Sequence, residues 1–457
     1  MSGGRISQRT VEAVKARADI VELFEARMGP GRRGSGQVMF RCPFHDENTA
    51  SCRVHPTEKT FHCFGCGEGG DVIHYVRQLE NLSFTESVEW LADRYGVEVE
   101  REDLSPQERE RYDRTKKADG LLEDVAIFYQ RYLETADEAE AGRAYLVDRG
   151  ITHASVQQFR LGFAPSDWER TTRAARERGY ADQLLIDAGV AREGQRGLYD
   201  WFRGRVIFPL CDARGRVRGF GARVLPGGEG AKYINSPESE IFKKGRILYG
   251  LDQARVPIAR AKRAIVVEGY TDVIQLHAAG FPETVAAMGT SLTDDQVREL
   301  RRLTDRVVLC FDADAAGQEA ALRGMGIAEL SGLRVQIATL PAGQDPADLI
   351  ASGPEAFEAV LADTRSVLAF RISRLLARIA EDGADAVYGM VRQVLSTASP
   401  GPERDEQVRH VASVLRLSPD SAARPAPRDR DRVPGVLSRT AGPGTRGGRG
   451  RGSRVPA

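Results

Sequence analysis

No stretch of the 457 residues approaches the roughly 20-residue apolar run that a membrane-spanning helix needs, and the opening MSGGRISQRT lacks the apolar centre of a secretion signal. Neither charge sign is in excess. Lys plus Arg and Asp plus Glu both number 65, so a charged partner can be met only by a local patch. There is no internal repeat. The six cysteines are not spread as in a secreted disulfide scaffold: four fall between positions 42 and 66, and Cys211 and Cys310 sit in apolar runs. Such crowding points to metal binding in a reducing compartment, and a cytoplasmic location is expected.

At this length the chain should divide into two to four domains. Residues 1–102 open with a helical pattern around Val11–Phe24 and hold the cysteine cluster. Residues 103–119 are a charged linker: between Arg101 and Lys117 eleven of seventeen residues are charged, too many to pack tightly. Residues 120–260 begin helical in LLEDVAIFYQRYL and turn strand-like at RVIFPLCD and GFGARVL. Residues 261–349 alternate apolar strands with helical patterns, which predicts a parallel α/β sheet. Residues 350–419 carry helix-period apolar positions only. Residues 420–457, rich in Arg, Gly and Pro with almost nothing to bury, should be disordered.

Cys42-Pro-Phe-His45 and Cys63-Phe-Gly-Cys66 are two knuckles, each presenting two ligands from one tight turn. Together they complete the tetrahedron zinc prefers. Four protein ligands close the site, so the expected zinc is structural. Cys52, His55 and His62 lie nearby but form no second pair, and Cys52 reads as a small core residue.

Three acidic motifs end the strands of the α/β segment. Glu268 follows AIVV, with Asp272 one helical turn on; Asp312 and Asp314 follow RVVLCF; Asp345 and Asp348 follow RVQIATL. Ligands of open parallel sheets bind beyond the carboxyl ends of the strands, so the fold should gather these carboxylates. Clustered carboxylates repel one another unless a cation intervenes, and oxygen ligands favour magnesium or manganese. Two such ions suit an in-line phosphoryl displacement. Singly, each acid reads equally well as a helix cap.

Between Arg203 and Arg246 stand ten Lys or Arg against four acids, interleaved with Tyr233 and Phe242, and Tyr249 follows just beyond. Phosphate neutralisation with occasional stacking is what a single-stranded template or a nucleoside triphosphate requires. Alone, the same segment is equally a solvated face.

Taken together, CPFH…HCFGCGEGGDV, FRGRVIFP, GFGAR, KYINSPE, FKKGRILYGL, VEGYTD, FDAD and the Asp345-Pro346 step resemble, in order, the bacterial DnaG-type DNA primases over about residues 5–415. The resemblance implies a multidomain α/β protein: an N-terminal zinc ribbon, a basic α+β subdomain, a Toprim parallel α/β domain, a C-terminal helical segment and a tail. It implies one zinc on Cys42, His45, Cys63 and Cys66. Two or more magnesium or manganese ions would sit on Glu268, Asp312 and Asp314, the catalytic carboxylates, with Asp272 and Asp345 supporting. Arg203, Arg205, Arg223, Lys232, Tyr233, Asn235, Lys244 and Arg246 would meet nucleic acid or nucleotide.

The implied reaction is synthesis of short RNA primers for replication on single-stranded DNA from ribonucleoside triphosphates, in the nucleoid-bearing cytoplasm. The zinc module would help choose the start site. A replicative helicase is the family's partner, and its helical docking domain is not expected here, since the residues after Ser418-Pro419 carry no helical period. Ala50-Ser51-Cys52 stands where the family often has Pro-Ser-Phe, and Ala347 interrupts its Asp-Pro-Asp. Another Toprim enzyme, a type I topoisomerase or nuclease, and a non-catalytic zinc-containing DNA-binding factor remain the alternatives.

Overall fold

The computed structural model describes residues 5–419 except 35, 46, 81, 103–104, 289–291, 312–331 and 342. The chain separates into two units at Val367/Leu368.

The first unit begins with α1 (Gln8–Arg17) and α2 (Ile20–Met28), the pair of helices into which the Val11–Phe24 pattern resolves. Asp19 accepts from the Val21 and Glu22 N–H groups and so starts the second helix. An antiparallel sheet follows in the order β1 (Arg32–Gly34), β2 (Gln37–Phe40), β3 (Cys52–His55), β4 (Thr60–Cys63) and β5 (Gly69–Asp71). Every second residue of β2, β3 and β4 is buried, as a sheet covered on one face demands. The covering layer is α2, α3 (Val72–Leu79) and α4 (Phe84–Tyr95). At its centre Phe24 stacks on Tyr75 with ring centroids 4.1 Å apart.

The charged run from Arg101 enters a single helix, α5 (Pro106–Thr135). Ser105 and Glu108 cap each other's backbone N–H groups, and Pro106 takes the first helical position, where its missing N–H costs nothing. The exposed N-terminal half of α5 meets the body through Arg111–Glu240 and Arg114–Asp187. Its other half buries Leu121, Leu122, Val125 and Tyr129 against a four-stranded sheet. Between α5 and that sheet run α6 (Glu140–Asp148), α7 (His153–Gln158), β6 (Gly162–Ala164), α8 (Arg170–Glu177), α9 (Asp182–Asp187) and a hairpin of β7 (Ala191–Gly194) with β8 (Gly197–Asp200). The sheet itself is ordered β11 (Tyr233–Asn235), β10 (Val217–Val224), β9 (Arg205–Cys211), β6.

After α10 (Leu251–Ala261) comes a five-stranded sheet in the order β13 (Thr284–Ala286), β12 (Ala264–Val267), β14 (Arg306–Phe311), β15 (Arg334–Thr339), β16 (Arg365–Ser366). Its first four strands are parallel, as the alternating text requires. The fifth is antiparallel and only two residues long, too short to show a period, and it interrupts the stretch expected to be helical. Helices α11 (Tyr270–Ala278), α12 (Asp294–Arg301), α13 (Pro346–Ala351) and α14 (Pro354–Ala362) complete this part.

The second unit is helical. In α15 (Val367–Ala377), α16 (Ile379–Asp382), α17 (Ala384–Thr397) and α18 (Pro402–Leu415), residues Ile372, Leu376, Val387, Val391, Leu395, Val408 and Val411 form a core of their own. The Arg/Gly/Pro tail lies outside the described residues.

Candidate metal and nucleic-acid sites

Cys42 and His45 follow β2, Cys63 ends β4, and Cys66 lies in the turn before β5. One ligand atom from each falls within 4.8 Å of all the others. Cys42 Sγ stands 3.8 Å from Cys66 Sγ, and Cys63 Sγ 3.9 Å from His45 Nδ1. The far nitrogen of His45, Nε2, faces Glu47 Oε2 at 3.3 Å. A carboxylate there holds the ring in its orientation. The other oxygen of Glu47 accepts from the N–H groups of Cys42 and Ser51, so one side chain ties the first knuckle to Ser51, whose hydroxyl reaches Cys63 Sγ at 3.2 Å. Gly65 is required by close approach: a Cβ there would lie 2.8 Å from His45 Nε2.

Burial would raise the Cys63 thiol, but Ser51 and the backbone N–H groups of Cys66 and Gly65 bring it down to about 7. Burial pushes Cys42 up to about 12. Cys52 is fully buried opposite Cys63 and outside the tetrad, its thiol kept well above the usual value by burial. Three sulfurs and one imidazole around a common point fit a closed zinc site.

Of the described acidic residues, Glu268 follows the carboxyl end of β12, and Asp345 opens the helix that comes after β15. Val266 pairs with Leu309, so Glu268 and Phe311, each two residues on, end neighbouring parallel strands at the same level. Asp312 and Asp314 lie outside the described residues. Asp272 is buried on the first turn of α11, where Oδ2 accepts from the Gly269 N–H at 3.0 Å. Asp345 and Asp348 cap α13 reciprocally: Asp345 Oδ1 accepts from the Asp348 N–H at 2.8 Å, and Asp348 Oδ2 from the Asp345 N–H at 3.2 Å. Oxygen donors at strand ends suit a hard divalent cation, although Asp272, Asp345 and Asp348 each spend one oxygen on a helix cap.

Of the basic candidates, several gather at one end of the β9–β10–β11 sheet. Arg205 pairs with Val224, and Arg223 with Tyr233. The buried Arg205 donates to Ala231 O and Glu229 O, tying down the loop between β10 and β11; burial, and then Arg203, hold its guanidinium below its usual value. Arg223 lies between the rings of Tyr145 and Tyr233, at 5.1 and 4.9 Å. Lys232 is exposed at the same end. Lys244 and Arg246 belong to a short 3-10 turn before α10; burial lowers the Lys244 ammonium, and Arg246 pairs with Asp295. Asn235 accepts from the hydroxyl of Tyr270, whose ring stacks on Phe208 with centroids 4.9 Å apart. Tyr270 opens α11 two residues after Glu268, so the basic sheet and the acidic strand end share one side chain.

Sequence reasoning missed the aromatic wall beside these arginines. Trp168, Tyr199 and Trp201 line a cavity of about 580 Å³ with Arg203 and Arg205. Arg203 lies 4.1 Å over Trp168, and Arg192 lies 3.8 Å over Trp201. The alternation of Tyr199, Trp201, Arg203 and Arg205 was the available signal. Glu47, which braces His45, had none.

Residues 6–107 match the family described as CHC2 zinc finger, residues 128–255 the DNA primase catalytic core, N-terminal domain, and residues 265–350 the Toprim-like family. The DNA primase of Halalkalibacterium halodurans is 37% identical over 424 residues, covering 91% of this chain and 70% of that protein. The DNA primases of Streptomyces coelicolor and Escherichia coli K12 are each 40% identical over 82% of this chain. The chain spans 60% and 65% of their lengths.

Among solved structures, the zinc binding and RNA polymerase domains of Aquifex aeolicus primase superpose with a TM-score of 0.59 at 30% identity, covering 90% of this chain and 98% of that one. A DnaG primase catalytic domain bound to ssDNA gives 0.58 at 36% identity, covering 67% and 98%. The order of zinc module, basic sheet and Toprim sheet, and identity at this level across them, have one explanation: the chain belongs to the bacterial DnaG-type DNA primases.

Proposed function

We propose that this chain makes short RNA primers on single-stranded DNA, drawing on ribonucleoside triphosphates. The observation that carries this reading is the junction at Tyr270, which joins the face of the basic sheet bearing Arg223, Tyr233 and Asn235 to the strand end bearing Glu268. Cations beside rings suit a single strand, since guanidinium groups neutralise phosphates and rings stack on bases: Arg223 lies by Tyr233 on this face, and Arg203 and Arg205 line a cavity with Trp168 and Trp201 on the other.

In the reaction a primer 3′-hydroxyl attacks the α-phosphate of the next triphosphate, and pyrophosphate leaves. Glu268, Asp312 and Asp314 would hold magnesium or manganese there, with Asp272 and Asp345 supporting. Such ions, when bound, supply charge neutralisation for the attacking and leaving oxygens. Lys232 and Lys244 would hold template or triphosphate phosphates, and the Tyr270 contact keeps the two sites in register. Cys42, His45, Cys63 and Cys66 would hold a structural zinc that keeps the first hundred residues folded.

Glu268→Gln and Asp312→Asn test the reading: each should abolish ribonucleotide incorporation on single-stranded DNA while folding and zinc content stay intact. Near-native synthesis by either variant would sink the assignment. Relaxation of supercoiled DNA by the wild type would favour a topoisomerase instead.

A further inference from the structure

The face of the basic sheet that meets Tyr270 holds a cation to which the protein offers no anion. Arg223 lies on β10 two residues from Gly221, whose close approach to the Tyr270 ring marks that face. Arg223 is 7% exposed, and its Nε is buried without a hydrogen-bond partner. Among the described residues no carboxylate pairs with it. A buried guanidinium is costly unless an opposite charge meets it.

Two rings hold this cation in place. Arg223 Cζ lies 5.1 Å from the centre of the Tyr145 ring and 4.9 Å from that of Tyr233. Tyr233 is 38% exposed, whereas Tyr145 is buried in the last turn of α6. That helix is firmly placed: Arg143 donates to Leu133 O at 2.7 Å and to Ala136 O at 2.9 Å. Just beyond its end, Arg149 O accepts from the side chain of Gln275 on α11. The Tyr145 ring is therefore anchored both to the basic sheet and to the helix that follows Glu268.

The hydroxyl of Tyr145 is buried and has no hydrogen-bond partner, so a polar contact within the protein does not explain the tyrosine. The face of its ring does. Arg149 comes within 5.8 Å of the same ring and also has no ion pair among the described residues. Attraction to a ring is weaker than pairing with an anion, so a cation held between rings stays available to a phosphate.

We propose that Tyr145 is a positioning residue: with Tyr233 it fixes the Arg223 guanidinium to receive a phosphate of the incoming triphosphate or of the template strand. This deepens the primer-synthesis reading and rests on it. Without the ring, the long side chain of Arg223 would lose rotamer freedom each time a phosphate arrived, and binding would weaken.

The test uses the full chain and measures two affinities separately, for single-stranded DNA alone and for ATP with magnesium. Tyr145→Leu should weaken at least one of them about fivefold or more, and the conservative Tyr145→Phe should restore most of the loss. In an Arg223→Ala background Tyr145→Leu should weaken binding no further, because the ring acts through that arginine. Pentafluorophenylalanine at position 145 keeps the ring's shape but reverses its charge distribution. It should bind as weakly as Tyr145→Leu while melting as Tyr145→Phe does. Loss confined to ATP assigns the phosphate to the nucleotide, and loss confined to DNA assigns it to the template; either supports the role. Unchanged affinities in Tyr145→Leu, or a pentafluorophenyl protein that binds like Tyr145→Phe, would overturn it. If affinity falls as expected but the wild type incorporates no ribonucleotide, the primer-synthesis reading fails and the positioning role stands. If incorporation proceeds while both affinities stay unchanged, the positioning role alone fails.

Discussion

The Tyr270 hydroxyl donates to Asn235 Oδ1, linking the helix that follows Glu268 to the edge strand of the basic sheet. The contact is tight because nothing stands between the two elements. A Cβ at Gly221 would lie 2.5 Å from Tyr270 Oη and 2.6 Å from Cζ. Tyr270→Phe should therefore keep the packing, lose the bond, and lower primer synthesis several-fold with melting nearly unchanged. Gly221→Ala should displace the whole ring and destabilise the protein by about 1–3 kcal/mol. Equal effects of both substitutions on melting would show that the hydroxyl bond has no role in register.

The zinc loop gives a second expectation. Cys63→Ser, or chelation of the wild type, should unfold the first hundred residues, because a closed site of this kind supplies folding energy to a small module. The α5–α14 region, with its own cores, should remain folded and extend a pre-annealed primer weakly. Detection of no zinc in the intact wild type by elemental analysis would remove the basis for this expectation.

Glu47→Gln is a finer probe of the same centre. The amide keeps an oxygen for the Cys42 and Ser51 N–H groups but loses the charge facing His45 Nε2. Zinc affinity should fall about tenfold or more while the fold persists. Competition with a chromophoric chelator measures it; unchanged affinity would leave Glu47 a purely local brace.

For the basic segment, Lys232→Ala and Lys244→Ala should each weaken template or nucleotide binding and flatten its salt dependence. Each lost phosphate contact on a single strand removes about 0.7 from the slope of log K against log salt. An unchanged slope would mean that these lysines are only a solvated face.

Asp212 carries a pH prediction. Burial alone would raise its carboxyl, but Arg216 and Arg218, each at 2.9 Å, hold it below the usual value. A depressed carboxyl contributes stability above its unfolded pKa of about 3.9, and that contribution is lost as pH falls through the lower folded value. Asp212→Asn should therefore be less stable at neutral pH by about 1 kcal/mol, with the gap narrowing below about pH 4. A gap that is constant with pH would refute the ion-pair account.

The sequence by itself determined what depends on short spacing. Paired knuckles at 42/45 and 63/66 announce their metal because four ligands must come from two turns. Alternation between 261 and 349 announces a parallel sheet because strand and helix periods differ. Tertiary structure decided the rest. The two-residue strand β16 has no period to read; it exists because β15 has an open edge beside it. The charged run after Arg101 reads equally as tether or helix, and the reciprocal cap of Ser105 and Glu108 with the burial of Leu121 to Leu133 makes it one helix. Asp272, Asp345 and Asp348 have the same text whether they bind a cation or cap a helix, and the fold shows each of them engaged in a cap. Trp168 meets Arg203, and Tyr270 meets Asn235, only because sheet pairing and loop closure bring together residues 35 apart in the chain, a distance over which no local pattern persists.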